Sequence, residues 1–184
     1  MGDDVVSALE RTPLGEELAA GDLERLGRAG RVVEAPAGQI LRREGEPGGS
    51  LLVVLAGAVE VVQGDGRPGG RVLAELAAGA VVGEVGLLCG RPATATARTC
   101  QPSRLFELPR QTFDAMVAGG DPAALRLALA LARVLASRLA RMNEDALRFC
   151  EEYAAELDLA GVGRGSPRVQ DLAAFRSQLS ELNF

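Results

Sequence analysis

The chain has 184 residues, of which 47% are hydrophobic and 24% are charged, and its formal net charge is −5. This balance is typical of a soluble globular protein long enough for one ordinary domain and an appendage. No apolar run approaches the length of a membrane span, so we expect no membrane partner. The acidic excess also argues against a nucleic-acid-binding protein, which normally presents a basic face.

The sequence shows no recognisable catalytic arrangement of residues. Histidine is absent, which removes the commonest general base and metal ligand. No nucleophile motif, metal-ligand cluster or readable acidic pair is present, so we predict a protein that is not an enzyme. The alanine, glycine and arginine enrichment, with arginine as the sole basic residue, suggests a GC-rich bacterial genome.

The three cysteines indicate a reducing compartment. Cys89, Cys100 and Cys150 are odd in number and widely spaced, so we predict buried, reduced thiols and no metal site. Residues 1–30 are acidic and lack a basic start followed by an apolar core, which predicts no signal peptide. A cytoplasmic location follows as an expectation.

The chain is predicted to begin with two short helices. Residues 3–11 and 21–29 carry apolar residues at helical spacing, and Asp22 opens the second helix. The intervening segment 12–15, which reads Thr-Pro-Leu-Gly, is predicted to break the helical pattern.

From residue 31 to residue 108 the pattern changes to short β runs separated by glycines. Many short strands at regular spacing predict a barrel or sandwich, with a hairpin whose tip lies at 64–70. The predicted strands are Val32–Val33, Gln39–Arg42, Leu51–Leu55, Val59–Val61, Val72–Leu76, Thr94–Thr99 and Arg104–Leu108.

Helices are predicted again after the strands. Residues 109–117 form a short helix, and residues 121–158 form the longest element, without any internal glycine or proline. The glycine-rich segment 161–167 is a flexible linker, and 168–182 forms a short amphipathic helix. We therefore expect three parts: a domain at 1–120, the long helix at 121–160, and the linker with tail helix at 161–184.

One face of the long helix repeats at steps of three and four residues, as in a coiled-coil seam. This predicts a dimerisation helix, in which Asn143 is a polar residue that sets the register. The alternative is a single helix that lies on its own domain. The seam contains Ala132, Ala136, Leu139, Asn143, Ala146, Cys150, Tyr153 and Leu157.

Charge along the same helix is uneven. Its first half carries arginines without acids, and its second half is mostly acidic. Two such helices would match better antiparallel than parallel, because parallel pairing sets like charges side by side. The competing interpretation is a set of solvated faces with local pairs such as Glu144 with Arg148.

The stretch 82–96 can hold a small anion. Gly83 lets the backbone turn and approach a ligand closely. Leu87 and Leu88 anchor one predicted helical turn, whose free N–H groups would point at a phosphate. Glu84, as a hydrogen-bond acceptor, suits a sugar hydroxyl better than a phosphate.

This stretch resembles the phosphate-binding cassette of the cyclic nucleotide-binding domain family, which shares a β-roll with bacterial catabolite activator proteins. The matching features are Gly83-Glu84, the apolar run 85–88, Pro92 and the Thr-Ala-Thr run at 94–96. Gly38, Gly45, Gly57 and Gly79 also stand where the family makes its tight turns. Ala93 departs from the family pattern, because an arginine that pairs with the cyclic phosphate usually follows the proline.

The resemblance implies a fold of the α+β class that is mainly β. Its centre is a β-roll, jelly-roll-like and built as a double-stranded β-helix, which N-terminal helices and a long C-terminal helix flank. It also implies a stand-alone domain without a DNA-binding domain, since few residues follow the long helix. By resemblance, the ligand-binding residues are Gly83, Glu84, Val85, Gly86, Arg91, Ala93, Thr94 and Ala95.

The roles of two of these residues have alternatives. Glu84 either accepts a hydrogen bond from a ribose 2′-hydroxyl or holds the cassette loop without any ligand. Arg91 either swings in to replace the missing arginine or remains a solvated turn residue. Arg98, on the following strand, is expected to be exposed or paired.

Two functions are consistent with these features. The first is a regulatory sensor that binds cyclic AMP or cyclic GMP at the cassette, needs no cofactor, and signals through the C-terminal helix. The second is a degenerate domain that binds no nucleotide because of Ala93 and acts as an interaction or assembly module. Both predict a homodimer or a protein partner at residues 121–184.

Overall fold

The computed structural model describes residues 2–64, 70–159 and 166–181, except the side chains of residues 2–4, 158, 159, 168, 180 and 181. The chain divides into two compact units, residues 1–131 and residues 132–184. Within the described residues, no helix is long and apolar enough to cross a membrane. The helices are α1 (Gly2–Glu10), α2 (Pro13–Glu17), α3 (Ala20–Ala29), α4 (Glu84–Cys89), α5 (Arg110–Ala118), α6 (Pro122–Leu159) and α7 (Pro167–Glu181).

Eight strands form two antiparallel sheets in the first unit. One sheet has the order β1-β8-β3-β6 and the other has the order β2-β7-β4-β5. This arrangement confirms the predicted β-roll with flanking helices. The strands are β1 (Arg31–Ala35), β2 (Ile40–Arg42), β3 (Ser50–Ala56), β4 (Ala58–Gln63), β5 (Arg71–Ala77), β6 (Val81–Val82), β7 (Thr96–Thr99) and β8 (Ser103–Pro109).

The N-terminal region contains three helices where the sequence predicted two. The segment 12–15, predicted as a break, instead opens α2, with Pro13 at the first helical position. Proline is favoured there because the N–H that it lacks has no partner inside the helix. Asp22 lies in the first turn of α3, where its Oδ2 accepts a hydrogen bond from Ala19 N at 3.3 Å.

Strand β3 is buried on both faces, which explains its continuous apolar sequence. Leu51 and Val53 belong to a core that also contains buried residues of α1, α3, α5 and α6. Val54 faces the interior between the two sheets, with Val59 and Leu105. The roll therefore has two apolar layers, and β3 and β8 contribute to both of them.

The junction between α5 and α6 follows the predicted capping pattern. Asp121 Oδ1 accepts a hydrogen bond from Ala123 N at 2.8 Å, and Pro122 opens α6. Arg126, one turn further along, forms an ion pair of 2.6 Å with the buried carboxylate of Asp22 on α3. The start of α6 is thereby fixed to the N-terminal helices of the same unit.

The second unit consists of α6 from residue 132 onward together with α7. The Asn143 side chain is buried, and its Nδ2 donates to Leu179 O of α7 at 3.2 Å. Cys150 and Leu157 are buried too, whereas Ala132, Ala136 and Leu139 are exposed. The C-terminal half of the predicted seam is thus covered, at least in part, by the chain's own tail helix.

The prediction of buried thiols is wrong at two of the three cysteines. Cys89 and Cys100 are exposed, Cys150 is buried, and all three are free. Cys89 ends the short helix α4 and Cys100 follows the end of β7, so both lie at element ends that face solvent. The hairpin tip at 65–69, the linker at 161–165 and the tail residues 182–184 lie outside the described residues.

Gly57, in the turn between β3 and β4, gives the first testable prediction. Its φ is 87°, and a Cβ there would lie 2.6 Å from Pro102 O. Gly38 has a similar φ of 79° with open space around it, so Gly38→Ala costs only backbone strain, about 1–2 kcal/mol. We expect Gly57→Ala to lower the free energy of unfolding by a further ~1–3 kcal/mol, because the added methyl group overpacks the turn. Urea denaturation of both variants measures the difference, and equal losses would contradict the steric argument.

Candidate functional site

The cassette is built around the short helix α4. Strand β6 ends at Val82, Gly83 turns the chain with a φ of 90°, and α4 runs from Glu84 to Cys89. Gly90 then ends the helix in the left-handed conformation that favours glycine. Leu87 is only 1% exposed and anchors α4 in the larger core, as the sequence predicted.

The backbone of the cassette packs closely against the chain between β2 and β3. A Cβ on Gly48 would lie 2.7 Å from Gly86 Cα and 2.8 Å from Arg91 O. A Cβ on Gly83 would collide with Ser50 O. Larger side chains cannot occupy Gly48 or Gly83 without moving α4, so these glycines determine where the cassette lies.

Glu84 is buried at the first turn of α4, with 7% of its surface exposed. A carboxylate that is removed from water needs hydrogen-bond or charge partners. Both interpretations of the sequence, ribose recognition and support of the loop, are compatible with this burial.

The second half of the cassette is more exposed. Arg91, Pro92 and Thr94 lie on the surface, and Ala93 and Ala95 are half-buried. The backbone of Ala93 exchanges two hydrogen bonds with the 45–46 turn, at 2.8 and 2.9 Å. Position 93 is therefore held beside the turn that follows β2.

Arg98 is engaged in an ion pair and does not serve as a phosphate anchor. Its Nε lies 2.5 Å from Glu60 Oε1 on the neighbouring strand β4. This ion pair confirms the expectation that Arg98 is exposed or paired.

Sequence reasoning missed Arg42, the last residue of β2. Its Nη2 donates to Ser50 O at 3.1 Å and to Ser50 Oγ at 2.8 Å. Its Nη1 would lie 3.3 Å from a Cβ on Gly83 and 3.6 Å from one on Gly86. A half-buried guanidinium therefore lies directly against the two cassette glycines.

Arg110, the first residue of α5, is a second missed contact. Its Nη1 donates to Gly86 O at 2.9 Å, and its Nε bonds Asp114 Oδ2 at 3.2 Å. A Cβ on Gly90 would lie 2.6 Å from the same Nη1. A cation at this position bonds one carbonyl group of α4, that of Gly86, and links the cassette to α5.

Among the described residues, no group of three or more His, Cys, Asp or Glu side chains could hold a metal ion. The site thus consists of close backbone contacts, a buried carboxylate and a nearby cation. A glycine-rich site with one carboxylate and one guanidinium has the chemical groups to contact a ligand that carries both hydroxyl and phosphate groups.

The two antiparallel sheets and their flanking helices define a β-roll domain. Residues 32–119 match the family model described as the cyclic nucleotide-binding domain, and this part of the chain is a domain of that family.

Solved structures have the same fold. A cyclic nucleotide-binding domain from Methylobacillus flagellatus KT superimposes with a TM-score of 0.66 at 22% identity, covering 78% of this chain and 81% of that one. The N-terminal domain of a transcriptional regulator from Streptomyces coelicolor A3(2) gives a TM-score of 0.59 at 29% identity, covering 74% of this chain and 95% of that one.

A third similar structure is the regulatory domain of Toxoplasma gondii PKA, which was co-crystallised with cAMP. Its TM-score is 0.55 at 30% identity, covering 62% of this chain and 43% of that one, so this chain spans less than half of that protein's length. Among curated proteins, none matched this chain.

The Arg110 contact generates a second prediction. Arg110→Met removes a charge-assisted hydrogen bond to Gly86 O, a contact of about 1.5–3 kcal/mol, while keeping much of the side-chain volume. We expect about tenfold faster hydrogen exchange at the Gly90 amide, which also bonds Gly86 O. Arg28→Met, which removes an exposed arginine on α3, is the matched control. Equal exchange in both variants would show that Arg110 does not hold the cassette.

Proposed function

We propose that this protein is a non-enzymatic regulatory module that binds a cyclic nucleotide, cyclic AMP or cyclic GMP, at the 83–96 cassette. The family assignment of residues 32–119 supports this function. This family match is the observation that carries the proposal, and the buried carboxylate of Glu84 beside close glycine contacts is compatible with it. Binding is read out through residues 121–184.

In this proposal the ligand's groups divide between several residues. Glu84 accepts a hydrogen bond from the ribose 2′-hydroxyl, and Gly83 lets the backbone approach the sugar. The phosphate is contacted by the amides of Val85 and Gly86. The Thr94 hydroxyl and the Ala95 amide contact it as well. Each assignment follows the family resemblance residue by residue.

One observation favours a second candidate function. Position 93 is alanine, and the Arg91 side chain is exposed. Neither position therefore contributes a buried cation to the cassette. A domain without a phosphate anchor would keep the roll and bind no nucleotide. It would then act as an interaction or assembly module.

Calorimetric titration with cyclic AMP and cyclic GMP, up to millimolar ligand, separates the two functions. We expect the wild-type protein to bind one of them and Ala93→Arg to bind about 10- to 100-fold more tightly, because it adds a charge-assisted hydrogen bond. Ala37→Arg adds the same charge at an exposed turn and serves as the control. Binding by Ala93→Arg alone would instead establish the degenerate domain.

A homodimer through the C-terminal helices is part of the same proposal. Leu139, Met142 and Phe149 on α6 are 61%, 68% and 63% exposed, and they recur at three- and seven-residue intervals. Large apolar side chains that gather on one helix face in this way indicate a protein contact.

We expect the wild-type protein to sediment with twice the mass of one chain. Leu139→Glu places a charge in the apolar contact and should weaken dimerisation by at least about tenfold. Ser137→Glu, an exposed position on another face of the same helix, should leave the sedimentation unchanged. A monomeric wild-type protein would rule out the homodimer and leave a different protein as the partner.

A further inference from the structure

Arg42 is anchored so that part of its guanidinium is directed at the cassette. Nη2 is held by two oxygens of Ser50, at 3.1 and 2.8 Å. Nη1 lies on the side of Gly83 and Gly86, where added Cβ atoms would approach it to 3.3 and 3.6 Å. Because both residues are glycines, the guanidinium is not screened from the cassette by side chains at these positions.

Among the residues that the structure describes, no carboxylate is paired with Arg42. Within the described residues its recorded partners are the two neutral oxygens of Ser50, and the side chain is half-buried. A guanidinium has five N–H donors. After Nη2 bonds the two oxygens of Ser50, the two donors of Nη1 and the one of Nε remain. A partly desolvated cation with unused donors is a favourable place for an anion, above all for a phosphate.

The other described arginines near the cassette are paired, hydrogen bonded or exposed. Arg98 pairs with Glu60, and Arg110 bonds Gly86 O and Asp114. Arg43 and Arg91 are exposed. Arg42 combines half-burial, proximity to the cassette glycines and unused donors.

Position 93 and Arg42 lie in neighbouring segments. Ala93 is hydrogen bonded to the 45–46 turn, which begins three residues after Arg42. We infer that Arg42, from strand β2, supplies the cation that binds the ligand's phosphate in place of an arginine at position 93. This inference rests on the proposed binding of a cyclic nucleotide.

Calorimetry with cyclic AMP and cyclic GMP on single and paired variants tests this assignment. We expect Arg42→Gln to weaken binding about 10- to 100-fold, because a charge-assisted hydrogen bond to the phosphate is lost. Arg43→Gln, at the exposed neighbouring arginine, should change the affinity by less than about twofold. Adding Ala93→Arg to Arg42→Gln should restore binding, since it returns a cation to the pocket from the neighbouring segment.

Melting temperatures check that each variant folds, because Arg42 also bonds Ser50. If Arg42→Gln does not fold, Arg42→Lys replaces it: the charge remains but the planar fork is lost, so a threefold to tenfold weakening (roughly) is expected. Unchanged affinity in the folded Arg42 variant would overturn the inference. A loss of affinity that is larger in Arg91→Gln than in the Arg42 variant would overturn it too. The proposed function would stand in both cases. Binding that appears only with Ala93→Arg, or in no variant, would overturn the inference and the proposed function together.

Discussion

The structure depends on the contact between two backbones at Gly48 and Gly86. A methyl group on Gly48 would lie 2.7 Å from Gly86 Cα, so α4 occupies its position because neither residue has a side chain. A helix of six residues is not stable alone, since its nucleation cost exceeds what so few hydrogen bonds return. The placement of α4 therefore comes from tertiary contacts: this backbone approach, the buried Leu87 and the flanking arginines.

Those contacts also determine which polar groups lie beside the cassette. Gly83 and Gly86 leave the Arg42 guanidinium open towards α4, while hydrogen bonds to Ser50 hold its Nη2. The buried Glu84 lies at the start of the same helix. Positive and negative groups thus occupy a small region whose geometry is fixed by backbone. A ligand with one phosphate and one free ribose hydroxyl, as proposed above, would use this preorganisation.

The sequence predicted the elements that depend on local signals. The turns at Gly38, Gly45, Gly57 and Gly79 all have positive φ, and the long helix without glycine or proline runs as one element. Strand β6 was missed because two residues are too few for any periodic pattern. Arg42 was missed for a different reason. The register shifts between Ile40 and Arg42, and in a strand such an irregularity changes the face on which a side chain lies.

Arg110 was also missed, because its contact with the cassette leaves no local signal in the sequence. Nothing in its local sequence distinguishes it from an ordinary exposed arginine that pairs with an aspartate four residues later. Its contact with Gly86 O arises only because the fold brings the start of α5 to the end of α4. Two arginines from separate elements, Arg42 and Arg110, thereby approach Gly86. Gly86 belongs to α4, which cannot hold its position alone. A ligand that engaged Arg42 would contact the helix that Arg110 links to α5, so ligand binding and α5 would share contacts with one short element.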